Sequence, residues 1–98
     1  MIKHLLIFSF NLKATEIDIL RIKTTFLTTP ERVSGVVSVE WGESNNPENQ
    51  NFSHCISIVF NRSLARDSYL EHDEYINLKK SLKPFILDIM EFDYYCYL

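Results

Sequence analysis

Three histidines and five tyrosines carry most of the acid–base chemistry open to this 98-residue chain. His4 and His54 occupy even positions near the starts of two strand-like segments. If those strands are neighbours, both imidazoles point to the same side of the sheet. Tyr69, His72 and Tyr75 are spaced three apart, a separation that shares one helical face or the corner between two short helices. An imidazole titrates near neutral pH and works as base or acid, and a phenol beside it can hold or pass a proton. His4, His54, Tyr69, His72 and Tyr75 are therefore the candidate pocket residues, and His4, Tyr69 and His72 the candidate catalytic groups. The plainer alternative is structural. A histidine on an apolar strand face is more often a hydrogen-bonded core residue. Tyr69 can simply pack its ring, and His72 can cap a helix C-terminus, where a cation is favoured. Five polar aromatic side chains converging on one space would be unusual for core alone.

Other chemistries find no residues to build on. There is no phosphate loop, dinucleotide fingerprint, nucleophile elbow or zinc-type cysteine pair, and the only glycines are Gly35 and Gly42. No metal and no cofactor are expected. Ten basic against thirteen acidic residues give a net charge of -3 with both signs scattered, so a nucleic-acid partner is disfavoured. The small clusters at Lys79-Lys80-Lys83 and Glu71–Glu74 read as solvated helix faces.

The opening MIKHLLIFSFNLK is too short an apolar run to span a bilayer and lacks a small-residue cleavage site. It reads as the first strand of a cytoplasmic protein with no membrane partner. Cys55 and Cys96 are then free thiols rather than a disulfide, and the acceptor patterns at Asn51 and Asn61 have no compartment in which to be glycosylated.

The elements that must position these residues follow in order. Ile2–Phe10 is a strand with Ile2, His4, Leu6, Phe8 and Phe10 on one face and Leu5 and Ile7 on the other. A helix capped by Thr15, with Glu16 and Asp18 in its first turn, runs through Ile19, Ile22, Phe26 and Leu27 toward Pro30. Val36–Trp41 is a strand with Val37, Val39 and Trp41 on one face, and residues 42–51 form a polar loop. Ser53–Phe60 is a third strand with His54, Ile56, Ile58 and Phe60 inward. A short helix from Ser63 and another over Asp73–Leu82 precede Pro84. A last strand spans Phe85–Tyr95, with Phe85, Leu87 and Ile89 alternating against Asp88.

With 98 residues there is room for one core, and residues 1–98 read as a single domain. Two strand–helix–strand crossovers joined by a hairpin predict an α+β, ferredoxin-like βαββαβ domain with a four-stranded antiparallel sheet whose first and third strands are central. Helices cover one face. The other, bearing Leu5, Ile7, Val36, Cys55 and Val59, would stay wet in a monomer, which predicts a homodimer closed face to face.

IKHLLIFSF, Thr15-Glu16, Ser34-Gly35-Val36, Trp41-Gly42, Phe52-Ser53-His54 and Tyr69-Leu70-Glu71-His72 together resemble the stress-responsive dimeric α/β-barrel (Dabb) domain, in colinear order along the whole chain. The resemblance implies a ferredoxin-like subunit and a homodimer closing two sheets into a barrel. The family includes stress-induced plant proteins and a polyketide cyclase that uses the pattern Tyr-x-x-His-Pro-x-His, the last His being its base. Here Tyr69 and His72 match, Asp73 replaces the Pro, and Tyr75 stands at the base position, so the resemblance keeps the pocket and loses the base. His4 and His54 match the family's strand histidines. Haem enzymes on a related barrel need an axial helical His, for which His72 is the sole candidate. The expected function is a small cytoplasmic homodimer with a His/Tyr-lined pocket for a small organic ligand in a stress-related or accessory role. The alternatives are a cyclase- or lyase-like enzyme on a polyketide-like or aromatic substrate, and a structural dimer with no ligand.

Overall fold

The computed structural model describes residues 1–48 and 51–97. The elements are β1 (Ile2–Phe10), α1 (Glu16–Leu27), a 3-10 turn (Thr29–Glu31), β2 (Val36–Glu43), β3 (His54–Phe60), α2 (Ser63–Glu71), α3 (Asp73–Leu82), a second 3-10 turn (Lys83–Phe85) and β4 (Ile86–Tyr95). The four strands form one sheet in the order β2-β3-β1-β4, every described pair antiparallel. This is the expected ferredoxin-like α+β arrangement, with β1 and β3 at its centre.

Local chemistry sets the helix limits. Thr15 and Asp18 form a reciprocal capping box: the Asp18 N–H donates to the Thr15 hydroxyl at 3.2 Å, and the Thr15 N–H donates to the Asp18 carboxylate at 3.1 Å. Ile22 and Phe26, four apart, turn into the core. Pro30 and Pro84 each sit in a 3-10 turn just past a helix end. Gly35, at φ +86°, is the described residue with positive φ, and a Cβ there would meet the Ala65 Cβ at 2.7 Å. A side chain at this turn would therefore push α2 away from the sheet.

The core lies between the sheet and the helices. Ile2, Leu6 and Phe8 from β1, and Ile56, Ile58 and Phe60 from β3, meet Ile22, Phe26, Tyr69, Tyr75, Leu78 and Leu82. Register explains which residues face it. His4 pairs with Ile58 on one side and Asp93 on the other, and Leu6 pairs with Ile56 and Glu91. Paired residues share a face, so Glu91 and Asp93 of the edge strand point to the helix side.

Three strand expectations are corrected. Val36 lies in the core rather than on the open face, because the β2–β3 register shifts between Val36 and Ser38 and a bulge at Val37 reverses the alternation. β2 runs on to Glu43, where Gly42 and Glu43 still pair with Cys55 and His54. The expected 42–51 loop therefore starts later, and its positions 49–50 lie outside the described residues, as does Leu98 at the end of the expected domain. Phe85 belongs to the 3-10 turn, and Leu87 is extruded where the β1–β4 register shifts between Ser9 and Phe10, which leaves it exposed.

The face away from the helices carries Leu5, Ile7, Cys55 and Val59, all half-buried, and adds Met90, Phe92 and Tyr94 from β4. Phe92 is 56% exposed. Both cysteines are free thiols. Among the described residues, no helix is long and apolar enough to cross a membrane.

Candidate functional site

The polar residues of the core are organised around His4, itself almost wholly buried. Its Nδ1 lies 2.6 Å from Asp93 Oδ1 and its Nε2 lies 2.8 Å from the Tyr75 hydroxyl. An ionised carboxylate only accepts, so Nδ1 carries the proton and, in the neutral ring, Nε2 accepts from the Tyr75 O–H. Asp93 is held from its other oxygen by Arg66 Nη1 at 2.6 Å, and Arg66 also binds Asp67 at 2.7 Å. The Tyr75 hydroxyl has a second, longer acceptor in Glu91 at 3.3 Å, and Glu91 is paired with Lys79. The result is a chain from Arg66 on α2, through Asp93 on β4 and His4 on β1, to Tyr75 on α3.

The Tyr75 and Tyr69 rings pack at a tilt of 52°, their centroids 4.8 Å apart. Burial, then the Glu91 carboxylate, hold the Tyr75 hydroxyl in its neutral form far above the usual phenol range. Burial likewise pushes Tyr69 up to about 12. Neither phenol is a base at neutral pH. The Tyr69 hydroxyl is buried without a hydrogen bond of good geometry; the Thr29 hydroxyl, which donates to the Thr25 carbonyl at 3.3 Å, lies near enough to offset part of the effect of burial.

The five candidate residues divide into three places. His4, Tyr69 and Tyr75 come together, buried between sheet and helices. His54 lies four residues along the register, opposite Phe8, packed among Phe8, Phe10 and Trp41 with ring centroids 4.9–5.8 Å away. Its Nδ1 is 2.6 Å from the Ser53 hydroxyl and its Nε2 is 3.7 Å from Glu43. Burial lowers its pKa more than Glu43 raises it. His72 is exposed at the junction of α2 and α3. It is the C-cap of α2, its N–H donating to the Tyr69 carbonyl at 3.0 Å, and also the N-cap of α3, its Nδ1 accepting the Glu74 N–H at 3.0 Å. With Nδ1 so used, any proton on the neutral ring sits on Nε2, facing out.

His72 and Tyr69 also line a cleft of about 380 Å³ between the turn before β2 and the start of α2. Val33, Gly35, Leu64 and Ala65 supply apolar walls, while Ser34, Asn61, Arg62 and Ser68 supply polar groups. Sequence reasoning missed Arg66, Asp93 and Glu91. The spacing of Glu91 and Asp93, two apart on a strand and in step with Ile89, was a readable signal of their inward direction. Among the described residues, no group of three or more His, Cys, Asp or Glu is placed to hold a metal ion.

Over residues 2–96 the chain matches the family described as Stress responsive A/B Barrel Domain, and it belongs to that family. No curated protein matches it in sequence. Among solved structures it is similar to a protein from Arabidopsis thaliana (TM-score 0.91, 18% identity, covering 100% of this chain and 97% of that one). It is also similar to a hydroxynitrile lyase from Passiflora edulis (TM-score 0.87, 13% identity, 95% and 90% covered). A dimeric ferredoxin-like protein from Thermobifida fusca is a third such structure (TM-score 0.80, 14% identity, 95% and 88% covered). At these identities the likeness is one of fold.

Proposed function

We propose that this member of the family works as a one-domain cytoplasmic homodimer, each subunit binding a small organic ligand in the cleft beside Tyr69 and His72, in a stress-related or accessory role. The cleft carries the reading: about 380 Å³ of space with apolar walls and a few convergent polar groups is the size and character of a small-molecule site. The His72 Nε2–H and the Ser68 hydroxyl supply hydrogen bonds at its rim. The open apolar sheet face supports the dimer, and a dimeric solved neighbour is consistent with it. Two free thiols support a reducing compartment. A thermal-shift screen of small phenols, aromatic acids and aliphatic alcohols tests the cleft, using natural protein and Ser68→Trp, which plugs it from an exposed position. At least one class should raise the melting temperature of the natural protein and not of the variant. No shift with any class, or equal shifts in both proteins, overturns the reading and leaves a structural dimer.

A second reading, a cyclase- or lyase-like enzyme, has one observation in its favour. Asp93 holds the His4 Nδ1–H and leaves the Nε2 lone pair as acceptor, which is the orientation a general base requires. Tyr75 occupies that lone pair, and its own raised pKa disqualifies it as a replacement base. Ring closure of a linear tetraketide thioester should be negligible in the natural protein. Product formed by the natural protein would make His4 or His72 the base.

A further inference from the structure

On the helix side of the sheet, between the end of α3 and the edge strand β4, lies a groove of about 490 Å³ that shares no lining residue with the cleft. Its walls are Leu82, Ile86 and Ile89, and its rim is Lys79, Lys80 and Lys83. The groove exists because α3 stops at Leu82 and the chain turns through Lys83–Phe85, so the helix does not cover the first part of β4. Ile89 pairs with buried Phe8 and shares its face, yet remains 38% exposed. Lysines are favoured near a helix C-terminus by the dipole, which accounts for the charges but not for the apolar trough between them. Lys79 is paired with Glu91 and lies 5.4 Å from the Tyr75 ring centroid. Lys80 and Lys83 have no carboxylate at ion-pair distance among the described residues.

From this we infer that the groove binds a single-chain carboxylate, its apolar tail on Leu82, Ile86 and Ile89 and its head between Lys80 and Lys83. A neutral apolar ligand would leave both ammonium groups unanswered, and an inorganic anion would leave the isoleucines wet; an amphipathic anion satisfies both. The groove lies on the helix side, so closure of the opposite sheet face leaves it open.

Calorimetric titration of the full chain with sodium decanoate below its micelle concentration tests this. Saturable binding is expected, at least tenfold tighter than that of decan-1-ol. Lys80→Glu/Lys83→Glu changes two exposed side chains and should leave the far-UV circular dichroism unchanged while weakening decanoate at least tenfold. Ser68→Trp should leave decanoate binding unaltered, which separates this groove from the cleft. Four results overturn the inference: no binding, equal affinity for the alcohol, unchanged affinity in the charge-reversed variant, or binding only to phosphatidylglycerol vesicles.

Discussion

The Tyr75 hydroxyl lies 2.8 Å from His4 Nε2 across 71 residues of sequence, and the contact is buried. It ties α3 to the central strand and completes the chain that begins at Arg66 and Asp93. The Tyr75 hydroxyl serves as a hydrogen-bond donor to a core histidine.

Tyr75→Phe removes that donor and leaves the Nε2 lone pair of a buried imidazole unanswered, which should cost about 1–3 kcal/mol. Urea denaturation measures it. A loss below about 0.5 kcal/mol would mean that the contact contributes little to holding α3 on the sheet.

Tyr69→Phe should behave oppositely. Its hydroxyl is buried with no hydrogen bond of good geometry, so removal should leave stability unchanged or raise it by up to about 1 kcal/mol. The same denaturation experiment decides, and a loss like that of Tyr75→Phe would show that Tyr69 has a partner.

The two phenols also set an alkaline limit. Both pKa values are raised in the folded state, Tyr69 to about 12 and Tyr75 further. Above the ordinary phenol value of about 10 the unfolded chain gives up these protons while the folded chain keeps them. Stability from these groups is therefore complete below about pH 10 and falls as pH rises through the folded values. Tyr69→Phe should make that fall shallower; identical alkaline unfolding curves would contradict the assignment.

Gly35→Ala combines an unfavourable positive φ with a Cβ 2.7 Å from that of Ala65, and should destabilise by about 1–3 kcal/mol. A neutral substitution would mean that the turn and α2 shift freely.

The order of elements, the central place of β1 and β3 and the open sheet face were all legible in the sequence, because strand alternation and helix spacing were clean from Ile2 to Leu82. Part of what escaped it has a common cause. The bulges at Val37 and Leu87 each reverse the alternation without leaving a glycine or proline to mark the place. Val36 therefore moved from the open face to the core, and Leu87 was extruded from the row that Ile89 continues. The inward turn of Glu91 and Asp93 follows the alternation from Ile89, but a search for apolar faces passes over carboxylates. His4, Tyr69 and Tyr75 do meet, as matching face positions suggested, but His54 pairs four residues further along the sheet and His72 is spent on a helix cap.

Charge on the open face should oppose pairing. Phe92→Asp puts a carboxylate beside Leu5, its partner across β1 and β4, and a dimer burying at least about 1,000 Å² there should dissociate. Light scattering at micromolar concentration should give twice the subunit mass for the natural protein and the single mass for the variant. A natural monomer would remove the barrel.

Native mass spectrometry of protein purified without added ligand reads subunit count and occupancy together, and so bears most directly on the proposed ligand-binding dimer. The account predicts a dimer of the 11.6 kDa chain carrying up to two small-molecule adducts, one per subunit, that are absent from Ser68→Trp. A monomer, or a dimer whose adducts persist when the cleft is plugged, would contradict it.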